Sequence, residues 1–536
     1  MTRYGWQIEK TIELWMYSGK KGKQDLFGKV NSIYLQGMWG TQVSVEADVS
    51  GGLPGWSFVG YLASEVREAQ DRVRTAIRNL GVELPPRKVT INLSPADLRK
   101  EGTGFDLAIA AAILTAYGII PAPEETWLFL GELGLDGRIK GIPGALTLTV
   151  RARELGFTRL FLPEENLKEA SMIQGIGLVG AGDLKSLMEL LKGAGPIKEY
   201  ERLEGPETDP GQEKYAGDFS EVNGQKVLRR AAEVAVAGMH NLLMIGPAGS
   251  GKTMVARRLA TILPAMTQEE QIEISKIYSV CNLLSGEEPL IRRRPFRAPH
   301  HTVSAQALTG GGSRPKPGEI SLATGGILFL DELPEMSRGA LEALRQPLEE
   351  RQVTISRVYG TCSYPADFQL VAAMNPCRCG HYPDLSRCTC TAGEVSRYLG
   401  KISGPLLDRM DICVEAQAVT YEEMEGKAEN ESSASIRARV EAARAIQRER
   451  FKGLSIRCNG EMGGGQIRRF CPLNKEESEF MEHIFFSLGI SVRMYGKILK
   501  VARTAADLDG REQILTKDLS EAVSYVRIRQ RYWKNG

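Results

Sequence analysis

Hydrophobic positions along this chain follow two periods. Val43-Ser-Val-Glu-Ala-Asp-Val49 and Lys88-Val-Thr-Ile-Asn92 read as short strands, while residues 64–79 and 105–117 repeat apolar side chains at helical spacing. Asn241-Leu-Leu-Met-Ile245, Gly326-Ile-Leu-Phe-Leu330 and Phe368-Gln-Leu-Val-Ala-Ala-Met374 are nearly continuous apolar runs, which predicts buried strands. Met254-Val-Ala-Arg-Arg-Leu-Ala260 returns to helical spacing, and Gln352-Val-Thr-Ile-Ser-Arg-Val-Tyr359 predicts a hairpin turning at Gly360-Thr361. Beyond residue 419 the pattern is helical with little strand signal, as over residues 433–451 and 475–488. The fold class is therefore α/β and multidomain. An α/β domain spans 27–193, and a Gly-, Pro-, Glu- and Lys-rich linker spans 194–217. A second α/β unit spans 218–418, and a helical lid spans 419–536.

Composition agrees with several modules, since 536 residues exceed what one core organises. Apolar content of 42%, charged content of 25% and no apolar run near 18 residues describe a globular protein without a membrane span. Residues 1–22 carry no apolar stretch of the secretory kind, so a cytoplasmic address is expected. With 68 Lys+Arg against 66 Asp+Glu the net charge is +2, and any basic surface for nucleic acid must be local. The nine cysteines all follow residue 280, and no disulfide framework is expected.

The chemistry concentrates at Gly246-Pro247-Ala248-Gly249-Ser250-Gly251-Lys252-Thr253, which matches G-x-x-x-x-G-K-[ST] between a predicted strand and a predicted helix. In that setting backbone N–H groups cradle phosphates, Lys252 holds the β/γ-phosphates of ATP, and Thr253 holds Mg²⁺. Gly326–Leu330 ends in Asp331-Glu332, the Walker B pattern, with Asp331 on the Mg²⁺ side and Glu332 placed to polarise water. Asn375 ends the next buried strand. It either orients that water or simply forms a turn before Pro376. Cys377, Cys379, Cys388 and Cys390 supply four thiols within fourteen residues, suited to structural Zn²⁺ or left as free thiols in a loop.

Arg294-Pro-Phe-Arg-Ala-Pro-His-His301, Gly310-Gly-Gly-Ser-Arg-Pro-Lys-Pro-Gly-Glu-Ile-Ser321, Asn375-Pro-Cys377 and Ser403-Gly-Pro-Leu-Leu-Asp-Arg409 resemble the magnesium-chelatase-like AAA+ ATPases, in particular the YifB/ComM subgroup. The resemblance implies a ring, expected to be a hexamer, with Arg409 as an arginine finger in trans and Arg493 as sensor 2. Either arginine could instead be a surface ion pair. It also implies that the 297–318 loop and the 352–361 hairpin face a pore, where Arg314, Lys316 and Arg357 are either substrate contacts or simply solvated charges.

Residues 27–193 resemble the S5-type domain of Lon-like proteases, anchored on Gly131-Glu-Leu-Gly-Leu-Asp-Gly-Arg-Ile-Lys-Gly-Ile-Pro-Gly144. The positions of that fold's Ser–Lys dyad fall on Gly104 and Leu146, which leaves neither nucleophile nor base. Thr103 is adjacent but lacks an activator, so a docking platform is expected. Residues 1–26 match no family pattern, and Tyr61-Leu62 departs from the Leu-Pro usual in this subgroup.

By resemblance the expected partner is DNA, branched or single-stranded, with branch migration or helicase activity on recombination intermediates during natural transformation. Recombination proteins are further possible partners. Arg292-Arg-Arg294 with Arg297, and the tail Tyr525-Val-Arg-Ile-Arg-Gln-Arg-Tyr-Trp-Lys534, offer positive charge and aromatic faces. The tail reads equally well as a helix end complementing its dipole. A chelatase-type ATPase subunit and a protein-remodelling ATPase are the competing readings.

Overall fold

The computed structural model describes residues 26–201, 217–285, 287–312, 315–357, 360–417 and 430–533. Arg314 and Lys534 lie outside them. Near residue 204 the chain divides into two compact units, the short segment Ser285–Pro289 apart.

Alternation organises the first unit. Trp39–Ser50 turns Val43, Val45, Ala47 and Val49 inward and pairs antiparallel with Phe27–Gln36 and Lys88–Ser94. Seven strands make one sheet, in the order Gly55–Val59, Lys88–Ser94, Trp39–Ser50, Phe27–Gln36, Trp127–Phe129, Arg159–Pro163, Gly177–Ala181. Successive side chains leave opposite faces, so Leu128 joins Leu148, Leu160 and Leu178, whereas Phe129 joins Phe161 and the helices Ala69–Asn79 and Asp106–Ala116. Asp106–Ala116 is buried along its whole length, which explains a sequence with no polar face. Its carboxylate accepts bonds from Arg72 at 2.7 and 2.9 Å and from the Leu133 amide at 3.2 Å, so the buried charge is fully met. The helix expected over 64–79 is two, Ser64–Arg67 and Ala69–Asn79. The Arg72 guanidinium takes the Glu65 carbonyl at 2.9 Å, the acceptor a continuous helix would have used there.

In the second unit five strands are all parallel, in the order Phe296–Arg297, Ile327–Leu330, Gln369–Met374, Leu242–Ile245, Ile412–Glu415. Burial on both faces accounts for the continuous apolar runs of the three central strands. The helices Ser433–Arg450, Lys475–Leu488, Val492–Leu508 and Thr516–Trp533 share one apolar core with the sheet, in which Ile436 and Val440 join Val255 and Leu259. The hairpin pairs Gln352–Arg357 with Gly360–Pro365. Gly360 and Thr361, expected as its turn, instead lie inside the ladder, opposite Arg357 and Ser356.

A buried polar network joins helices to sheet. Asp507 accepts from Arg450 at 2.5 and 2.7 Å, from Arg503 at 3.1 Å and from Asn459 at 2.8 Å. Thr504 links this group to His240, whose Nε2 lies 2.8 Å from the threonine hydroxyl. His240 Nδ1 is buried with no hydrogen-bond partner among the described residues. Burial therefore pulls His240 down to about 4, with Asp411 opposing and Lys500, Arg444 and Lys497 adding to the fall. Because the unfolded state binds this proton near pH 6.5 and the folded state only near 4, the stabilisation is full above pH 6.5. It is lost as pH falls towards 4, by about 3 kcal/mol in all. Urea midpoints measured at pH 7.5 and 4.5 are expected to fall less for His240→Gln than for the unaltered protein. Equal falls in the two proteins would contradict the assignment.

Candidate functional site

The carboxyl ends of Leu242–Ile245, Ile327–Leu330 and Gln369–Met374 converge, which is where open parallel sheets bind ligands. Gly246 follows the first strand where a Cβ would sit 2.3 Å from the Ala416 carbonyl oxygen, so only glycine fits. Gly251, at φ +80°, supplies the left-handed residue that turns the loop into helix Lys252–Ile262. The Lys252 ammonium folds inside this loop. It donates to the carbonyls of Gly246 at 2.8 Å and Pro247 at 2.7 Å, and lies 3.3 Å from both Ser250 Oγ and Asn375 Oδ1. Desolvation lowers its affinity for a proton, against the pull of Asp331.

The Thr253 hydroxyl donates to Asp331 Oδ2 at 2.7 Å, and Asp331 Oδ1 accepts from the Glu332 amide at 2.9 Å. A hydroxyl and a carboxylate in contact, beside a glycine cradle with its lysine, fit Mg²⁺–triphosphate: Thr253 and Asp331 would hold the metal, which would screen phosphate charge, and Lys252 the phosphates. Thus Lys252, Thr253, Asp331, Glu332 and Asn375 are brought to one place, as the sequence predicts.

Two further residues belong here that the sequence reading left without a role. His301 Nδ1 lies 2.9 Å from Glu332 Oε2. Gln225 lies 3.3 Å from the Ser250 carbonyl and also bonds to Gln417. Both Glu332 (φ +50°) and Gln225 (φ +54°) adopt left-handed backbone, a conformation that L-residues hold only when their surroundings impose it. His301 stood within a recognised string and Gln225 within none; the latter carried no signal of its own.

Arg409 and Arg493 form a second group. Arg409, its side chain 12% exposed, donates to the Pro405 carbonyl at 2.6 Å and pairs with Glu349. Arg493, at 68%, lies 3.7 Å from the carboxylate of Asp408, the residue preceding Arg409. Burial and the charges of Arg345 and Arg493 ease the Arg409 proton affinity downward.

The four cysteine sulfurs lie within 4.8 Å of one another, with Cys377 3.3 Å from Cys379 and 3.8 Å from Cys388. A bond to sulfur from the His381 amide holds Cys379 down to about 5, towards thiolate.

Several basic residues are engaged internally. Arg294 donates to the carbonyls of Pro264 and Gly325 and pairs with Glu270, and Arg297 forks onto Glu319 with two bonds of 2.7 Å. In the tail helix Arg529 pairs with Asp408 and Arg531 with Glu415, while Tyr525 and Tyr532 are buried. The tail is thus built as a helix end docked on its own unit, and its tyrosines offer no stacking faces. Lys316 and Arg357 are exposed, on segments that touch where the Tyr364 hydroxyl donates to the Pro315 carbonyl at 2.6 Å.

Three family models match: magnesium chelatase subunit ChlI over residues 218–424, subunit ChlI of Mg-chelatase over 45–166, and the ChlI C-terminal part over 430–526. The YifB protein of Escherichia coli K12 is 42% identical over 489 residues, covering 91% of this chain and 94% of its own. The competence protein ComM of Haemophilus influenzae is 40% identical over 509 residues, covering 93% and 98%. A shorter stretch of 88 residues is 35% identical to the DNA repair protein RadA of Streptococcus pyogenes, covering 16% of this chain and 19% of that protein. Among the described residues no helix is long and apolar enough to cross a membrane. On these matches the chain belongs to the magnesium-chelatase-like AAA+ ATPases of the YifB/ComM family.

Proposed function

We propose that this ATPase works as a ring, expected to be a hexamer in the cytoplasm, that spends ATP on remodelling branched or single-stranded DNA, with branch migration of recombination intermediates as its task. The observation that carries the ring is the split of the site. Lys252, Thr253, Asp331, Glu332 and Asn375 gather at one sheet end, while the bonds of Arg409 and Arg493 go to Pro405, Glu349 and Asp408. An arginine held on its own surface stabilises a transferring phosphoryl group when a neighbouring copy docks against it, which ties hydrolysis to the position of that neighbour. For DNA, support comes from family membership, from the stretch shared with RadA, and from Lys316 and Arg357 exposed on abutting loops.

The first unit is proposed to be a docking platform without protease activity. Where the dyad would need serine there is Gly104, its carbonyl tied to the Gly131 amide, and where it would need lysine there is the fully buried Leu146. The four cysteines are proposed to hold structural Zn²⁺. A zinc–thiolate bond of about 2.3 Å places tetrahedral sulfurs about 3.8 Å apart; those of Cys377, Cys379 and Cys388 stand 3.3, 3.6 and 3.8 Å from one another, at or below that spacing, and Cys390 completes the set within 4.8 Å.

The matching family models describe a chelatase subunit, which keeps ATP-driven metal insertion as the second reading. One experiment separates them. Purified protein with ATP and Mg²⁺ is expected to convert a four-way DNA junction faster than Lys252→Ala, with ATPase stimulated by the same DNA. Conversion no faster than Lys252→Ala, with ATPase indifferent to DNA, would refute the DNA motor.

A further inference from the structure

We infer that the four-cysteine knuckle is a strut for the nucleotide pocket, so that Zn²⁺ and ATP bind cooperatively; this rests on the zinc reading above. The knuckle has little core of its own. Between residues 377 and 390 only Cys377 and Gly380 are buried, and Leu385 is 81% exposed. Its internal bonds are those of successive turns, among them the Gly380 amide to the Cys377 carbonyl at 3.1 Å, the Tyr382 amide to Cys377 Sγ at 3.4 Å and the Cys388 amide to the Asp384 carbonyl at 2.8 Å. A metal bonded to four sulfurs is the cross-link that would fix such a segment, because binding free energy at a site of this kind is also ordering free energy.

What the segment touches gives that ordering its consequence. At its start, Cys377 stands two residues after Asn375, whose amide oxygen lies 3.3 Å from the Lys252 ammonium. At its first turn, a Cβ built on Gly380 would lie 3.8 Å from the Ala248 amide nitrogen and 3.9 Å from Pro247 Cα, so this backbone rests on the P-loop. Beyond it, the Tyr382 ring meets Tyr532 edge-on at 6.0 Å, and the Tyr532 hydroxyl donates to Glu415 at 2.7 Å. Glu415 ends the strand paired with the P-loop strand, opposite Ile245. The knuckle therefore braces the P-loop, the strand end that carries Asn375 and the last helix at once. With metal bound, the loop meets phosphate in a fixed shape; without it, nucleotide binding must also order the knuckle, which weakens affinity.

Two measurements on the full-length chain test this. Zinc per chain is determined by elemental analysis for the unaltered protein and for Cys388→Ser/Cys390→Ser, and each is titrated with a fluorescent ATP analogue. About one zinc per chain is expected, lost in the variant, with nucleotide affinity about tenfold weaker. Coupling is reciprocal, so in the unaltered protein a saturating non-hydrolysable ATP analogue should tighten Zn²⁺ against a competing chelator by the same factor of about ten. That second arm needs no variant, and it decides the matter even if the cysteine substitutions prevent folding. Zinc present but indifferent to nucleotide would overturn the strut and leave the zinc reading standing. No zinc in the unaltered protein would overturn both.

Discussion

Arg409→Ala will bind ATP as the unaltered protein does and hydrolyse it about a thousandfold more slowly or worse, the usual loss when an arginine finger is removed. Steady-state ATPase rates together with a nucleotide titration read this directly. The reasoning starts from where the guanidinium lies. It is held at the end of a short helix, Gly404–Leu407, by the Pro405 carbonyl and Glu349, while its Nε is buried without a partner among the described residues. In the proposed ring this guanidinium would exchange Glu349 for a neighbour's phosphate, with Arg493 held nearby by Asp408. Mixing makes the claim sharper. Oligomers of Arg409→Ala chains with Glu332→Gln chains contain interfaces where an intact arginine faces an intact glutamate, and those interfaces should recover activity that neither variant shows alone. Mixed oligomers that form but stay inactive would place Arg409 outside a neighbour's site.

How much of this was readable beforehand depends on the range over which each signal acts. The P-loop, the Asp331-Glu332 strand end and Asn375 are local arrangements of strand, turn and helix, and their spacing in sequence carries their geometry; the structure gathers them with Thr253 against Asp331 at 2.7 Å. The central strands were legible because burial on both faces leaves nearly every position apolar, Gln369 at the start of one being the exception. Residues 64–79 failed as one helix because a side-chain bond, from Arg72 to the Glu65 carbonyl, competes with the backbone, and no periodicity records that. The ion pairs of the basic tail were illegible for a related reason. Arg529 and Arg531 find Asp408 and Glu415, more than a hundred residues away in sequence, and a charge does not disclose its partner. Asp507 and His240 were silent for the same cause, since a buried network is made of contacts between helices and sheet that only the fold brings together.

Glu332 and His301 give the second large effect. Glu332→Gln is expected to bind Mg²⁺–ATP and to lose roughly two to four decades of hydrolysis, because the amide keeps the shape and removes the general base. The carboxylate is not free to take up any position. Its backbone is left-handed, and its Oε2 lies 2.9 Å from His301 Nδ1. The imidazole comes from the loop that follows the short strand Phe296–Arg297, so a movement of that loop would carry the glutamate with it. In the proposed reaction His301 would act as a positioning residue. His301→Ala should lower kcat about tenfold, the loss expected when a base is let slip from its bonded geometry, while KM for ATP stays unchanged. His301→Asn, which can still bond to the carboxylate, should recover much of the rate. In the Glu332→Gln background the His301→Ala change should cost nothing further, since there is no base left to aim. An equal loss in both backgrounds would mean that the histidine supports the fold of the loop and has no part in placing the glutamate.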